Sequence, residues 1–281
     1  MRSPRATWLA RNDCAEAIQK GEADLLFAGA ARREPAAGGG RGGLVRLRLA
    51  GQEAVGKRAL HGGLLGRILG GLYLGAGRAV AQLVAAERLE RAGVPTPAVL
   101  AVGWRRAFGP FHQHAVVTRR VHRSQNLYEA ALEDAPWRRR RISLEKSASL
   151  VRSMHDAGFL HADLNVSNIL LGEGPDGDRV HIVDLDRGRF VRRAGPGARF
   201  RNLARLLRSY EKWIAGRFRL TAREELLFLR SYCGPDRSLL RRLQRRLQRY
   251  RGRLRLRRIL WGGARAPQSG RANAGRWTAQ K

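Results

Sequence analysis

Alternating apolar and basic positions predict a β-hairpin in the first third of the chain. The segment Leu44–Leu49 alternates apolar and basic residues, which is typical of a half-exposed strand. Gly51-Gln52 predicts a turn, and Glu53–Lys57 predicts the second strand of the hairpin. Two further apolar runs, Val99–Gly103 and His114–Thr118, predict two more strands. This part of the chain is therefore expected to form a sheet.

Apolar positions spaced by three and four residues predict helices elsewhere. They indicate a short helix over Asp13–Lys20, a longer one over Arg78–Arg91 and a long one over Leu144–Ala157. From about Phe200 onward the pattern is helical. Strands thus come first and helices follow, with a boundary near residues 119–126. The pattern predicts an α+β fold with a sheet-rich N-terminal lobe and a helical C-terminal lobe.

Polar residues at the start of the helical half have the spacing that phosphoryl transfer needs. His161, Asp163 and Asn168 follow the long predicted helix in the order His-x-Asp-x₄-Asn, and Asp184 ends the strand predicted over Val180–Val183. Asp163 is the candidate base for an acceptor hydroxyl, and Asn168 and Asp184 are candidate oxygen ligands for Mg²⁺. The alternative is that these residues only cap turns, where Asp and Asn are common.

A glycine-rich segment upstream provides a candidate phosphate site. Gly38, Gly40, Gly43 and Val45 fit the pattern G-x-G-x-x-G-x-V, in which glycines let backbone N–H groups approach phosphate closely. The next predicted strand carries Lys57, which could pair with the phosphates of a nucleotide. The alternatives are a flexible linker for the glycines and a solvated lysine on the strand.

The helix that follows offers a candidate acid for Lys57. Val80, Leu83, Val84 and Glu87 share one helical stripe, so Glu87 would point inward if that stripe is buried. Glu87 is therefore a candidate ion-pair partner in the nucleotide site. A solvated helix acid is the alternative.

Composition excludes several classes of protein. The 281 residues are 43% hydrophobic, which argues against a disordered chain. Two cysteines, Cys14 and Cys233, are too few for a disulfide scaffold or a multi-cysteine zinc module. No segment predicts a membrane span or a secretory signal, so a cytoplasmic protein, free or peripherally bound to a membrane, is expected.

The charge is extreme, with 55 Lys and Arg against 23 Asp and Glu, a net of +32. This balance predicts a polyanionic partner such as phospholipid or nucleic acid, although a GC-rich genome also raises arginine content.

Residues 237–281 carry fifteen of the basic residues and no acid. Apolar residues recur there at helical spacing, which is typical of a basic interfacial membrane helix but also of a helix packed on the C-terminal lobe. These residues are Leu240, Leu243, Leu247, Tyr250 and Leu254. Residues 262–281 are expected to be disordered.

Five segments together resemble the lipopolysaccharide kinases, and within them the kinases of 3-deoxy-D-manno-octulosonic acid (Kdo). They are residues 58–63, 92–97, 155–171, 182–189 and 201–210. The most specific are His-Ala-Asp-Leu-Asn at 161–165 and Asp-x-Asp-Arg-Gly at 184–188, because protein kinases carry Asp-Phe-Gly at the latter position. The resemblance covers about residues 40–215.

This resemblance implies a protein-kinase-like two-lobe fold, ATP as phosphoryl donor and Asp163 as the catalytic aspartate. It also implies that the acceptor is the 4-hydroxyl of Kdo on a lipid A precursor, and that the protein works at the cytoplasmic side of the inner membrane. Two positions depart from the family pattern. The family usually has arginine where this chain has Lys57, and its helix glutamate falls on Gln82 instead of Glu87.

The sequence accordingly predicts four segments: an N-terminal extension (1–37), a kinase N-lobe (38–120), a kinase C-lobe (121–236) and a basic helix with tail (237–281). Three other functions compete with the sugar-lipid kinase. A phosphotransferase of the aminoglycoside-kinase type shares His-x-Asp and a later Asp, but usually has His-Gly-Asp. A pseudokinase is a further alternative, because the sequence does not settle which helix residue pairs with Lys57. A non-catalytic nucleic-acid-binding protein would explain the charge, but the chain has no aromatic-rich RNA-binding motif, so no nucleic acid is expected.

Overall fold

The chain forms an N-terminal lobe built on a sheet and a C-terminal lobe built mainly from helices, in the α+β arrangement that the sequence predicts. The computed structural model describes residues 6–28, 34–36, 40–60, 70–133, 135–174, 177–214 and 220–261. The order along the chain is strands with one long helix, then helices with short strands.

Seven strands form the main sheet, in the order β1-β6-β7-β4-β3-β2, with β5 paired to β7. All of its pairings are antiparallel. The strands of this sheet are β1 (Thr7–Ala10), β2 (Glu34–Ala36), β3 (Gly40–Leu49), β4 (Gln52–Arg58), β5 (Leu72–Leu74), β6 (Val99–Phe108) and β7 (Phe111–Arg119). The smaller sheets contain β8 (Gln125–Asn126), β9 (Phe159–Leu160), β10 (Ile169–Gly174), β11 (Gly177–Ile182) and β12 (Arg189–Phe190).

The described helices lie mostly in the C-terminal lobe. Short 3₁₀ turns cover Asn12–Cys14 and Val166–Asn168. The α-helices are α1 (Ala15–Gln19), α2 (Leu25–Ala28), α3 (Gly77–Arg91), α4 (Leu127–Leu132), α5 (Trp137–Asp156), α6 (Pro196–Trp213), α7 (Ala222–Cys233) and α8 (Arg237–Trp261). Helix α5 begins seven residues before the predicted start at Leu144.

The predicted hairpin is confirmed. Strands β3 and β4 pair from Leu44–Lys57 to Leu49–Gln52. The turn between them has positive φ at both Ala50 (50°) and Gly51 (73°), the backbone form that a two-residue hairpin turn favours. Strands β6 and β7 are longer than predicted and meet at the turn Gly109-Pro110.

Residues 6–28 add a strand to the main sheet and contribute residues that pack on the sheet. Strand β1 is the edge strand beside β6, and Trp8 packs closely over Gly103 of that strand. Trp8, Ile18 and Phe27 are buried in a cluster with Leu100 of the sheet. The sequence predicts a short helix in this region and no strand, so β1 is an addition to the predicted sheet.

The apolar residues of α8 up to Tyr250 pack on the C-terminal lobe, which favours that alternative over an interfacial membrane helix. Leu243 and Leu247 are buried, Leu239 is buried beside them, and the helix packs against α6 and α7. The Tyr250 ring lies against Phe200 of α6, with centroids 6.2 Å apart. The Leu254 side chain and residues 262–281 lie outside the described part of the chain. Within that part, no helix combines the length and the apolar character needed to cross a bilayer.

Candidate active site

The loop that carries Asp163 is held by asparagine side chains. Asn165 caps the 3₁₀ turn at Val166–Asn168, because its Oδ1 accepts from the backbone N–H of Ser167 (2.9 Å) and of Asn168 (3.2 Å). The Nδ2 atoms of Asn165 and Asn168 both donate to the carbonyl of Asp163, at 3.2 and 2.8 Å. The main chain of Asp163 is therefore fixed while the residue itself is exposed.

His161 is a buried bridge between this loop and the strand that leads to Asp184. Its Nδ1 accepts from the backbone N–H of Asp163 (3.1 Å), so the ring proton lies on Nε2, which donates to the carbonyl of Val183 (3.0 Å). Burial lowers the pKa of His161, and the hydrogen bond to Val183 opposes that shift only in part. The imidazole is thus held neutral in one tautomer.

Asp184 is placed beside the loop by a second hydrogen bond of Val183. The N–H of Val183 donates to the backbone carbonyl of Asn168 at 3.0 Å. Asp184 then takes a left-handed conformation with φ of 59°, which aspartate tolerates better than most residues. The three predicted site residues Asp163, Asn168 and Asp184 therefore lie on two segments that are joined by backbone hydrogen bonds.

Lys57 reaches Asp184 from the N-terminal lobe. Its Nζ lies 2.8 Å from Asp184 Oδ2, and the two side chains are 35% and 29% exposed. The pair spans 127 positions of sequence and joins β4 to the segment after β11. The predicted phosphate-binding lysine and the predicted metal ligand therefore meet in the cleft between the lobes.

Glu87 is not the partner of Lys57, which corrects the sequence prediction. Its carboxylate lies on the surface of α3, 3.4 Å from Nη2 of Arg91. The predicted stripe fails because Val84, one of its members, is 54% exposed. The buried face of α3 carries Ala79, Ala85, Ala86 and Leu89.

The glycine-rich segment lies at the edge of the sheet next to the strand of Lys57. Gly38 is outside the described residues. Gly40 and Gly43 belong to β3, which pairs with β2 through Ala36–Gly40. On its other side β3 pairs with β4, and Leu44 lies opposite Lys57. Gly40 and Gly43 are thus in a β-hairpin beside the lysine.

Sequence reasoning missed a second ion pair in the same cleft. Arg78 Nε lies 2.6 Å from Asp186 Oδ1, and its Nη2 contacts Asp186 Oδ2. The Asp186 carboxylate raises the pKa of Arg78 against the opposing effect of burial. Arg78 lies in the first turn of α3, so Asp186 ties that helix to the segment of Asp184. The available signal was the repeated acid in Asp-x-Asp.

A buried network below the catalytic loop was also missed. Asn202 of α6 accepts at Oδ1 from the N–H of His161 (3.1 Å) and from Nε2 of His155 (3.0 Å), and it donates from Nδ2 to the carbonyl of His161 (2.7 Å). The Tyr232 hydroxyl lies 2.7 Å from His155 Nδ1. Burial lowers the pKa of His155 to about 4 and raises that of Tyr232 to about 12, so both stay neutral near pH 7.

The donor set suits Mg²⁺ better than a metal held wholly by protein. Among the residues that the structure describes, no three His, Cys, Asp or Glu side chains converge on one point. Asn168 donates from its Nδ2 to the Asp163 carbonyl, and its amide oxygen is of the type that could coordinate a cation. One carboxylate and one amide oxygen fit a cation that keeps several waters and also binds substrate phosphates.

A two-lobed fold with a lysine paired to a carboxylate and an exposed aspartate at its cleft defines the class of protein-kinase-like phosphotransferases. The model of the lipopolysaccharide kinase (Kdo/WaaP) family matches residues 34–232. The chain belongs to that family.

Several curated relatives carry one name, 3-deoxy-D-manno-octulosonic acid kinase. The chain is 32% identical to the one from Stenotrophomonas maltophilia (strain R551-3) over 206 residues, which cover 70% of this chain and 78% of the relative. It is 33% identical to the one from Xanthomonas axonopodis pv. citri, over 67% of this chain and 74% of that protein. The one from Haemophilus influenzae (strain PittEE) is 29% identical over 59% and 68%.

A solved structure has the same fold. It is described as WaaP in complex with acyl carrier protein, and it superposes with a TM-score of 0.56 at 22% identity. The superposition covers 86% of this chain and 98% of the other. The kinase-like fold predicted from the sequence is confirmed.

Proposed function

We propose that this protein transfers the γ-phosphoryl group of ATP to the 4-hydroxyl of Kdo on a lipid A precursor. Family membership and the shared name of the relatives support the reaction and the sugar. The observation that carries the proposal is the exposed Asp163 on a loop whose main chain is fixed by Asn165, Asn168 and His161. A base of this kind must be immobile at its backbone and open to the acceptor.

Asp163 accepts the proton of the sugar hydroxyl as that oxygen attacks phosphorus. The neutral His161 supports this role because its Nδ1 accepts from the N–H of Asp163. Loss of that neutral state would remove the acceptor atom and leave the N–H of Asp163 unpaired. Burial of His161 therefore protects the orientation of the loop.

Asp184 and Asn168 are the residues that would hold Mg²⁺. When bound, the ion supplies charge neutralisation and orientation of the nucleotide phosphates. Lys57 contacts the phosphates from β4, with Gly40 and Gly43 in the adjacent strand. In the protein alone Lys57 and Asp184 neutralise each other at 2.8 Å. On binding, Lys57 would exchange the Asp184 carboxylate for another anion, the phosphate, and Asp184 would exchange the Lys57 ammonium for another cation.

The activity is tested by incubating the purified protein with labelled ATP, Mg²⁺ and a Kdo-bearing lipid A precursor. The matched control is the same precursor without Kdo, and RNA and an aminoglycoside are further acceptors. We expect label on the Kdo-bearing lipid alone. Label on the aminoglycoside in preference to the lipid, or on the precursor lacking Kdo, would contradict the proposal.

We also propose that the protein lies on the cytoplasmic face of the inner membrane, held by the exposed face of α8. Over the residues of α8 whose side chains the structure describes, that face is lined by arginines, whereas Leu239, Leu243 and Leu247 are buried. Attraction to anionic lipid is worth about 1 kcal/mol per basic residue near the surface. Attachment therefore rests on charge and not on insertion of the helix.

Vesicle binding tests this attachment. The triple variant Arg241→Gln, Arg242→Gln and Arg245→Gln removes three exposed charges from α8, and the control triple Arg138→Gln, Arg139→Gln and Arg141→Gln removes three exposed charges from α5. We expect the α8 variant to bind anionic vesicles more weakly at low salt, and wild-type binding to fade as salt rises. Equal weakening in the two variants would contradict a specific role of α8.

A further inference from the structure

Two ion pairs connect the N-terminal lobe to the Asp-x-Asp segment, and they differ in geometry. Lys57 meets Asp184 with one ammonium group and one carboxylate oxygen. Arg78 meets Asp186 with two guanidinium nitrogens on two carboxylate oxygens. An ammonium changes partner easily, whereas a planar fork on a carboxylate fixes both distance and orientation. The first pair is suited to exchange and the second to positioning.

The surroundings of Arg78 hold its guanidinium in line with Asp186. The guanidinium carbon lies 4.1 Å from the centroid of the Tyr73 ring. Tyr73 in turn stacks on His114, with centroids 4.9 Å apart, and His114 Nε2 lies 2.7 Å from the carbonyl oxygen of Gly75. Arg78 and Asp186 are only 20% and 24% exposed, so this pair is better shielded than that of Lys57 and Asp184.

The position of Arg78 on its helix points to the same role. A cation in the first turn of a helix opposes the helix dipole, which favours negative charge there. Helix α3 nevertheless carries Arg78 in its first turn and has no acid there. The Asp186 carboxylate of the other lobe neutralises Arg78, so this first-turn cation is paired with the segment that carries Asp184.

We propose that Arg78 and Asp186 are positioning residues that hold α3 and residues 184–187 together, so that Asp184 keeps its place when Lys57 exchanges it for phosphate. The inference rests on the proposed kinase function. In this chain the interlobe bridge Arg78–Asp186 does what the predicted pair of Lys57 and Glu87 does not. It fixes the helix to the metal-binding segment instead of to the lysine.

Hydrogen exchange of the free protein tests the bridge without any activity. Arg78→Gln and Asp186→Asn each remove one side of the Arg78–Asp186 bridge. The control Arg91→Gln removes the exposed ion pair of Arg91 with Glu87 on the same helix. We expect amide exchange in peptides covering 77–83 and 184–190 to speed up threefold or more in both bridge variants and not in Arg91→Gln. Wild-type exchange in either segment of both bridge variants would overturn the proposal.

Kinetics separate positioning from general stability. The Mg²⁺ concentration for half-maximal activity should rise severalfold in Arg78→Gln and Asp186→Asn, should rise no further in the double variant, and should fall partway back in Arg78→Lys. An unchanged Mg²⁺ midpoint in folded single variants overturns the inference while leaving the kinase function intact. If the wild type phosphorylates no Kdo lipid, the proposed function fails, and the hydrogen-exchange result still decides whether the bridge couples the two segments.

Discussion

The two sides of the cleft are held by opposite kinds of interaction. On the N-terminal side, charged groups that water partly reaches form the contacts, as in Lys57–Asp184 and Arg78–Asp186. On the C-terminal side, neutral groups in the interior form them, as in the chain of Asn202, His155 and His161. The two named contacts of the N-terminal lobe are therefore ion pairs, and those among Asn202, His155 and His161 are buried hydrogen bonds.

This difference matches what each side must do in a kinase. A charge that forms an ion pair in the free protein can move to a ligand of the same sign as its old partner, at little net cost in desolvation. A buried neutral hydrogen bond has no such alternative, and each group left without a partner costs about 1–3 kcal/mol. The nucleotide side is thus built to rearrange, and the loop of Asp163 is built to stay still.

The largest effect is expected at the reacting atoms. Asp163→Ala should lower the rate of phosphoryl transfer by at least about 10²–10⁴-fold, since the base is lost, and leave the unfolding midpoint unchanged because the residue is exposed. Activity on the Kdo lipid and urea unfolding check both parts. Near-normal turnover by the folded variant would show that Asp163 is not the base.

The second-largest effect is expected from loss of the Asp184 carboxylate. Asp184→Asn removes both the partner of Lys57 and the proposed metal ligand, so the Mg²⁺ needed for half-maximal activity should rise at least about 10-fold. Asn168→Ala should act in the same direction. A Mg²⁺ titration with the wild-type midpoint in both variants would assign the ion to other residues.

A change in the buried network of Asn202, His155 and His161 should lower the stability of the protein. Asn202→Ala leaves the backbone groups of His161 and the Nε2 of His155 without their partner, so the free energy of unfolding should fall by about 2–4 kcal/mol. Urea unfolding measures the change. The surface variant Gln248→Ala on α8 should stay within about 0.5 kcal/mol of wild type. An equal loss of stability in both variants would show that the buried network contributes no more than a surface position.

Acid should weaken the same network gradually. His155 has a folded pKa of about 4, whereas an unfolded histidine takes up its proton near pH 6.5. Between these values the unfolded state binds more protons, so stability falls as pH falls, by up to about 1.4 kcal/mol per pH unit. The slope should flatten in His155→Gln and not in the exposed His122→Gln. Identical slopes in all three proteins would contradict a buried neutral His155.

The smallest effect is expected at the helix acid that the sequence singled out. Glu87→Gln should change neither turnover nor unfolding by more than about 0.5 kcal/mol, because an exposed pair with Arg91 contributes little. A loss of activity comparable to that of Asp184→Asn would restore Glu87 to the site and would reduce the importance of Arg78.

Local patterns predicted most of the fold and the chemical residues of the loop. The hairpin of β3 and β4, helix α3 and the order of the lobes follow from periodicity and turn residues. Asp163, Asn168 and Asp184 could be grouped because their spacing along the chain is characteristic. Each of these signals lies within a few residues of sequence.

The missed contacts join distant parts of the chain. Arg78 and Asp186 are 108 positions apart, and β1 meets β6 more than 90 positions later. For the leucines of α8 the sequence left two alternatives open for another reason. An amphipathic stripe has the same spacing whether protein or a bilayer covers it, so only the packing against α6 and α7 decides between the two.

The left-handed backbone at Asp184 limits how this position can change during evolution. Besides aspartate, asparagine and glycine fit a φ of 59° with the least strain, whereas β-branched residues fit it badly. A lineage that lost catalysis could therefore replace the carboxylate by asparagine or glycine and keep its fold. Valine or isoleucine there would damage the structure together with the chemistry. Among inactive descendants, the replacement found at this position would then record whether selection still preserved the folded protein.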